Sequence, residues 1–173
     1  MLVANFILFQ LAWFACVMGA AKDMPWAGVS VTLIILCWHF YHAKQAKPEI
    51  VLMLTALFSG AIFDQSLLAM HLVEYHAHGW SNELVPVWIL ALWLAFASTL
   101  NVSLGWMHER YVVAVLFGAA GGPLAYLAAQ KLGAVTVQGS TAYMALAIGW
   151  GVITPLLILT AKRFNGFQLK ASS

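Results

Sequence analysis

Charged residues are scarce in this chain. Asp, Glu, Lys and Arg make up 8% of its 173 residues, whereas 63% of the residues are hydrophobic. Soluble domains carry about 25% charged residues, and a soluble fold would leave many of these apolar side chains in contact with water. The composition therefore excludes an ordinary soluble domain and indicates a protein whose solvent is the lipid bilayer.

Basic tracts, cysteine pairs and signature motifs are missing as well. The net charge is +2 and the longest basic run is Lys162-Arg163, so neither nucleic acid nor a strongly anionic lipid surface is expected as a partner. Cys16 and Cys37 both lie in apolar runs, where free buried thiols are expected rather than a disulfide framework. The sequence contains no Walker loop, nucleophile elbow, haem-attachment motif or dinucleotide fingerprint.

Six apolar segments fill the chain, each close to the roughly 20 residues that a helix needs to cross a bilayer. They predict an all-α, polytopic membrane helix bundle in a single domain of about six transmembrane helices. Their approximate ranges are 3–21, 24–42, 48–72 or on to 78, 83–104, 109–131 and 141–161. No Lys or Arg precedes the first segment, so we interpret it as a retained helix rather than a cleaved signal peptide.

The distribution of Lys and Arg predicts an orientation. Six of these residues fall on the side that holds both termini and two fall on the other side; the six are Lys44, Lys47, Arg110, Lys162, Arg163 and Lys170, and the two are Lys22 and Lys131. Because basic residues favour the cytoplasmic side, both termini are expected in the cytoplasm. The loop after the third helix then faces outward, into the periplasm of a bacterium.

The stretch from Gly60 to His78 contains the most distinctive polar pattern. If it is helical throughout, six of its residues share one face: Gly60, Asp64, Leu67, His71, Glu74 and His78. A charged carboxylate within the hydrocarbon costs a few kcal/mol, so Asp64 is expected to face the bundle or a wet cavity, or to be protonated. Two roles stay open for Asp64: a proton-linked or ligand-binding group, and a structural hydrogen-bond acceptor.

Three neutral polar residues also fall in or near the membrane: Asn5, Gln10 and Asn101. Such side chains usually tie helices together by hydrogen bonds. With Asp64 and His71 they are also candidates for a ligand or proton site, because a polar path across the bundle could join them.

His71, Glu74 and His78 are candidate metal ligands. Spacings of three and four residues put them on one face of a continuous helix, and imidazole and carboxylate groups suit zinc or iron. The alternative is a solvated loop. The fragments His39–His42 and His71–His76 are similar to parts of the histidine boxes of membrane desaturases, but no His-His pair occurs. The predicted topology also puts the two fragments on opposite sides, so we exclude a di-iron desaturase.

The fifth helix carries a face of small residues that includes Gly118 and Gly122, a GxxxG pair. This pattern allows another helix to approach closely, either in the same chain or in a homodimer. The segment Gly121-Gly122-Pro123 predicts a kink or break in this helix. Gly149, Gly151 and Pro155 predict similar irregularity in the sixth helix, and broken helices are typical of transporter binding sites.

Four segments carry a resemblance to a known family: residues 5–21, Phe63-Asp64, residues 99–101 and residues 122–126. Together they resemble a family of uncharacterised small inner-membrane proteins of proteobacteria, over the whole chain and most specifically in residues 5–21. The resemblance implies a domain of unknown function in the bacterial inner membrane. Members of that family keep company with lipid- and fatty-acid-modifying proteins, which favours a lipid-related role without assigning one.

These observations leave three functional hypotheses. The first is a small-molecule or lipid binding or transport protein, with or without proton coupling, that has an outward-opening polar pocket around Asp64 and His71. The second is a membrane enzyme, or an enzyme's membrane subunit, that modifies lipid with His71, Glu74 and His78 as metal ligands or acid–base groups. The third is a purely structural assembly partner. A homodimer and a membrane enzyme are the partners that stay open.

Overall fold

The computed structural model describes residues 1–168, so Lys170, which contributes to the predicted orientation, lies outside the described residues. Six α-helices and two short strands follow one another along the chain. Their bounds are α1 Leu2–Ala21, α2 Pro25–His42, α3 Ala46–Ala69, β1 Val73–Tyr75, α4 Val87–Leu100, α5 Tyr111–Lys131, β2 Val135–Val137 and α6 Gly139–Arg163. A single 3-10 turn, Gly105–Met107, lies between α4 and α5.

Four of the helices, α1, α3, α5 and α6, are long and apolar enough to cross a membrane. The two others are less suited to this by length or composition. α2 has 18 residues and carries His39 and His42 in its last turn. α4 has 14 residues, which makes it about 21 Å long, against about 30 Å for the hydrocarbon core. The described residues thus contain four candidate spans, and the predicted count of six is not established.

The short helix α4 forms the centre of the bundle. Eleven of its 14 residues are buried, because α1, α2 and α3 pack on it and α6 also contacts it. The predicted helix over 83–104 was wrong at both ends. Pro86 has an extended conformation and caps α4, and residues 101–104 form turns. A helix that is covered by others does not have to match the bilayer thickness with its own length.

The two strands form an antiparallel pair at one end of the bundle, in which Val73 pairs with Val137 and Tyr75 pairs with Val135. All four of these side chains are buried. The sequence analysis did not predict this sheet and was wrong to continue the third helix to 72 or 78. α3 ends at Ala69, and the chain reverses at His71, whose φ of 55° is left-handed. The backbone of β1 finds its hydrogen-bond partners in β2, which lies more than 55 residues away in sequence.

Helices α5 and α6 pack tightly along the small-residue face of α5. A Cβ atom added at Gly118 would lie 2.5 Å from Thr154 Oγ1, and one added at Gly122 would overlap the Trp150 ring. The predicted close helix contact at Gly118 and Gly122 is therefore made within the chain, and this face is covered by α6. The predicted breaks do not occur, since α5 and α6 are each one continuous helix despite an internal proline; a kink at these positions stays a prediction.

Candidate functional site

The carboxylate of Asp64 is fully buried and accepts hydrogen bonds from three side chains. Its Oδ1 atom accepts the Tyr75 hydroxyl at 2.9 Å and also the Tyr126 hydroxyl. Its Oδ2 atom accepts the Trp93 indole N–H at 2.6 Å. These donors come from β1, α5 and α4, while Asp64 itself lies on α3, so one carboxylate joins four elements of the fold.

Local sequence explains how the Trp93 side chain reaches Asp64. Gly60 lies one helical turn before Asp64, and a Cβ atom at this position would overlap the Trp93 ring. Trp93 in turn stacks on Trp150 of α6, with ring centroids 4.5 Å apart and an interplanar angle of 10°. The glycine therefore provides the space that lets the indole lie flat between α3 and α6 and direct its N–H to the carboxylate.

The position of Tyr75, another of the three donors to Asp64, depends on the two-stranded sheet. β1 alternates buried and exposed side chains, and this alternation turns Tyr75 into the bundle. Burial raises the pKa of the Tyr75 hydroxyl well above its ordinary value, so this side chain stays a neutral hydrogen-bond donor at physiological pH. The strand pairing thus closes the end of the bundle over Asp64 and supplies a donor to it.

Next to this cluster lies a cavity of about 390 Å³, which we call the lateral slot. Its walls are formed mainly by α1, α4 and α5, and they are largely aromatic and aliphatic, with Trp13 on α1, Phe96 on α4 and Gly121 on α5 among the lining residues. Val135 of β2 and Trp150 of α6 complete the apolar part of the lining. Asp64 and Gln10 are polar residues of the lining. The volume and the apolar lining with few polar groups are typical of small-molecule sites.

The lateral slot opens sideways, between α1 and α5. These two helices make almost no direct contact with each other. Three residues of the lining, Phe14, Phe117 and Leu124, are 49%, 43% and 62% exposed. On α1 the lining runs from Phe9 to Val17, roughly 12 Å along the helix axis. Asp64 was predicted to share a polar pocket with His71; in the structure Asp64 instead borders this largely apolar slot, and His71 does not line it.

The predicted metal ligands do not converge. His71 is exposed just after the end of α3. Glu74 is also exposed and accepts a hydrogen bond from Gln138, whereas His78 is buried with both ring nitrogens within 3.1 Å of backbone carbonyl oxygens. Within residues 1–168 no group of three His, Cys, Asp or Glu side chains is placed to hold a metal ion. The zinc or iron prediction required a continuous helix to His78, and α3 ends nine residues earlier.

Asn5 and Gln10, both on α1, have different surroundings. Asn5 is 1% exposed; its Nδ2 donates to the Ser98 carbonyl at 3.1 Å and its Oδ1 accepts the Ser103 hydroxyl at 2.7 Å. It therefore ties α1 to the end of α4, as expected for a neutral polar residue between helices. Gln10 is exposed and lines the lateral slot.

A second buried polar cluster was missed by the sequence analysis. His39 Nε2 lies 2.9 Å from Glu49 Oε2, and these residues are 1% and 0% exposed. The other oxygen of Glu49 accepts the Asn101 side-chain N–H and the Gly166 backbone N–H, both at 2.7 Å. The sequence feature that could have revealed this pair is the short loop between α2 and α3. Because α2 ends three residues after His39 and α3 begins three residues before Glu49, the helical hairpin places His39 and Glu49 opposite each other.

The residues after α6 close this end of the bundle. The Gln45 N–H donates to the Gly166 carbonyl at 3.0 Å, and the Phe167 ring packs edge-on against His39 with centroids 5.0 Å apart. Glu49 and Asp64 are 15 residues apart on α3, which corresponds to roughly 22 Å. Asn101 therefore belongs to a cluster at the opposite end of the bundle from Asp64, and the predicted polar path does not join them directly.

Comparison with known protein families gives a match over nearly the whole chain. Residues 2–156 match the family model described as "Protein of unknown function (DUF2878)". Neither the curated proteins nor the solved structures include one that matches the chain. The matched segment contains all the residues of the Asp64 cluster and all the residues that line the lateral slot. Because the match covers nearly the whole sequence, the chain belongs to this family of unknown function.

Proposed function

We propose that this protein is an integral protein of a bacterial inner membrane that binds a lipid-like ligand in the lateral slot. The observation that carries the proposal is the slot itself, a cavity of about 390 Å³ with an apolar lining. Large apolar side chains are exposed on the outer faces of the four long helices, for example Ile7, Phe58, Leu116 and Ile148. Such surfaces are stable in lipid and costly in water.

The position of the opening supports a ligand that comes from the bilayer. The opening between α1 and α5 lies along two helices that are long and apolar enough to cross the membrane. The exposed rim residues Phe14, Phe117 and Leu124 are apolar, so the entrance would face acyl chains rather than water. A ligand that is already dissolved in the hydrocarbon can enter without desolvating a polar rim.

In this proposal Asp64 shapes the slot. Its carboxylate holds Trp93 and Tyr126, and both side chains form part of the inner wall. Neither transport nor metal-dependent catalysis gains support from the geometry, because α5 and α6 are unbroken and His71, Glu74 and His78 do not converge. The geometry therefore favours binding of a lipid-like molecule over these two functions.

Native mass spectrometry of the full-length protein in mild detergent tests this proposal. A Cβ atom at Gly121 would meet no atom within 4 Å, so Gly121→Leu should fill part of the lateral slot without disturbing helix packing. We expect bound lipid on the wild type and its loss in Gly121→Leu. Ala120→Leu is the matched control, because Ala120 is exposed next to Gly121 and is not part of the lining.

Three outcomes of this experiment would contradict the proposal. A wild type without bound lipid, or a Gly121→Leu variant with as much lipid as the wild type, would contradict the proposal. Loss of lipid in both variants would show that bulk on α5, rather than occlusion of the slot, is responsible, and it would also count against the proposal.

The orientation is proposed on the excess of Lys and Arg on the side of the termini. Reporter fusions test it: a periplasm-specific reporter after Gly79 and a cytoplasm-specific reporter at the C-terminus should both be active. Activity of a cytoplasmic reporter placed after Gly79 would reverse the assignment.

A further inference from the structure

Gln10 is a polar amide in the middle of an apolar helix. It is the ninth of the 20 residues of α1, roughly 12 Å from the start of the helix and 16 Å from its end. Its side chain is exposed and lines the lateral slot. No hydrogen bond joins it to another residue in the range 1–168.

An amide without a partner is costly at this depth. A polar group that makes no hydrogen bond in hydrocarbon costs several kcal/mol, and the Gln side chain is too short to reach either membrane surface. In membrane bundles such an amide normally bonds to a neighbouring helix. α1 packs on α2 and α4, but the Gln10 side chain bonds to neither of them and remains in the slot.

Asp64 differs from Gln10 in this respect. Both of its oxygens already accept hydrogen bonds, and the residue is 0% exposed. The buried indole N–H of Trp150 also lines the slot without a hydrogen-bond partner, but it can only donate. Gln10 is the amide of the lining, and it can donate through its NH₂ group and accept through its carbonyl.

The electrostatics of the slot also constrain the ligand. Among the described residues that line it there is no Lys, Arg or His, and Asp64 is the ionisable acid of the lining. A phosphate headgroup would find no cation there, and its charge would be costly near the middle of the bilayer. A hydroxyl or carbonyl group carries no such cost and matches the amide of Gln10.

We propose, on the basis of the lipid-binding function proposed above, that the lateral slot takes an uncharged lipid whose hydroxyl or carbonyl group binds the Gln10 amide. The apolar chain lies along the slot between α1 and α5. Phospholipids are rejected because their charged headgroups belong at the membrane surface and have no counter-ion within the slot.

Two lipids with the same acyl chain make the test sharp: 1-monooleoylglycerol and its 3-phosphate. We expect native mass spectra of the full-length protein to show monooleoylglycerol bound at least about tenfold more strongly than the phosphate. Gln10→Met, which keeps the chain length and removes the amide, should weaken monooleoylglycerol binding about fivefold, as expected for one net hydrogen bond. Leu11→Met is the matched control on the adjacent exposed position and should leave binding unchanged.

Some results would overturn only the role of Gln10, and others would overturn the proposed function as well. Equal binding of the two lipids, or unchanged binding in Gln10→Met while Gly121→Leu still abolishes it, would overturn the role of Gln10 and leave the proposed function intact. Unchanged binding in Gly121→Leu would remove the proposed function itself. If Gln10→Met instead converts a dimer to a monomer at constant lipid occupancy, the amide serves a contact between two chains, and the proposal is wrong.

Discussion

The Trp93 indole donates its N–H to Asp64 Oδ2 at 2.6 Å, across the contact between α4 and α3. This hydrogen bond joins the buried centre of the bundle to an acid that would otherwise be costly within a membrane. It also fixes one wall of the lateral slot, because Trp93 lines the slot and stacks on Trp150.

Asp64→Asn should lower the free energy of unfolding in mixed micelles by about 1–3 kcal/mol, the cost of an unsatisfied buried polar group. The new amide can still accept the two tyrosine hydroxyls through its oxygen, but its NH₂ group would face the Trp93 N–H. Asp23→Asn is a suitable control, because Asp23 is exposed and has a left-handed φ of 59° that Asn tolerates. An Asp64→Asn variant as stable as the wild type would show that these hydrogen bonds contribute little.

Two glycine-to-alanine variants should shift stability in opposite directions. A methyl group at Gly60 overlaps the Trp93 ring, so Gly60→Ala should cost about 1–3 kcal/mol through overpacking and change the tryptophan fluorescence. A methyl group at Gly121 meets no atom within 4 Å, so Gly121→Ala should stabilise α5 by up to about 1 kcal/mol. Thermal unfolding of both variants in the same detergent tests this prediction. If both unfolding temperatures rise or both fall relative to the wild type, the prediction is wrong.

The Glu49 cluster should hold the chain after α6 in place. Glu49→Ala removes the partner of His39 and the acceptor of the Gly166 N–H, so the free energy of unfolding should fall by about 1–3 kcal/mol, the cost of leaving buried polar groups without a hydrogen bond. Hydrogen exchange of residues 164–168 should accelerate in this variant. Glu109→Ala is the control, since the Glu109 side chain is 74% exposed in its pair with Lys162. This substitution should change neither the free energy of unfolding nor the hydrogen exchange of residues 164–168. Unaltered exchange at Gly166 in Glu49→Ala would show that other contacts hold this segment.

The sequence predicted the helical parts of the fold because their signals are local. Apolar runs of about 20 residues identified the six helices, with α2 predicted within about one residue at each end. Asp64 and the Gly118–Gly122 face were recognised because an acid or a small-residue stripe within an apolar run is visible without knowing its partners. Both lie in buried contacts, as those patterns require.

The sequence predicted the candidate site less well than it predicted the helices. His71, Glu74 and His78 would share one face only if the helix continued beyond Ala69, where the chain instead reverses and pairs as a strand with residues 135–137. Tyr75 was therefore not recognised as a partner of Asp64. His39 was considered only as part of an excluded histidine-box fragment, and Glu49 was not singled out, although their positions on either side of the α2–α3 loop already placed them opposite each other.

The sequence by itself determined that the chain is apolar, mainly helical and in need of a buried setting for Asp64, since composition and periodicity act within single segments. The tertiary structure decided which donors satisfy Asp64, where α3 ends, and that α1 and α5 leave a slot between them. These features depend on residues that are distant in the chain and meet only when the helices pack around α4. In the sequence Gln10 was a candidate both for tying helices together and for a ligand or proton site, whereas in the fold its side chain lines the slot with its hydrogen-bonding groups free.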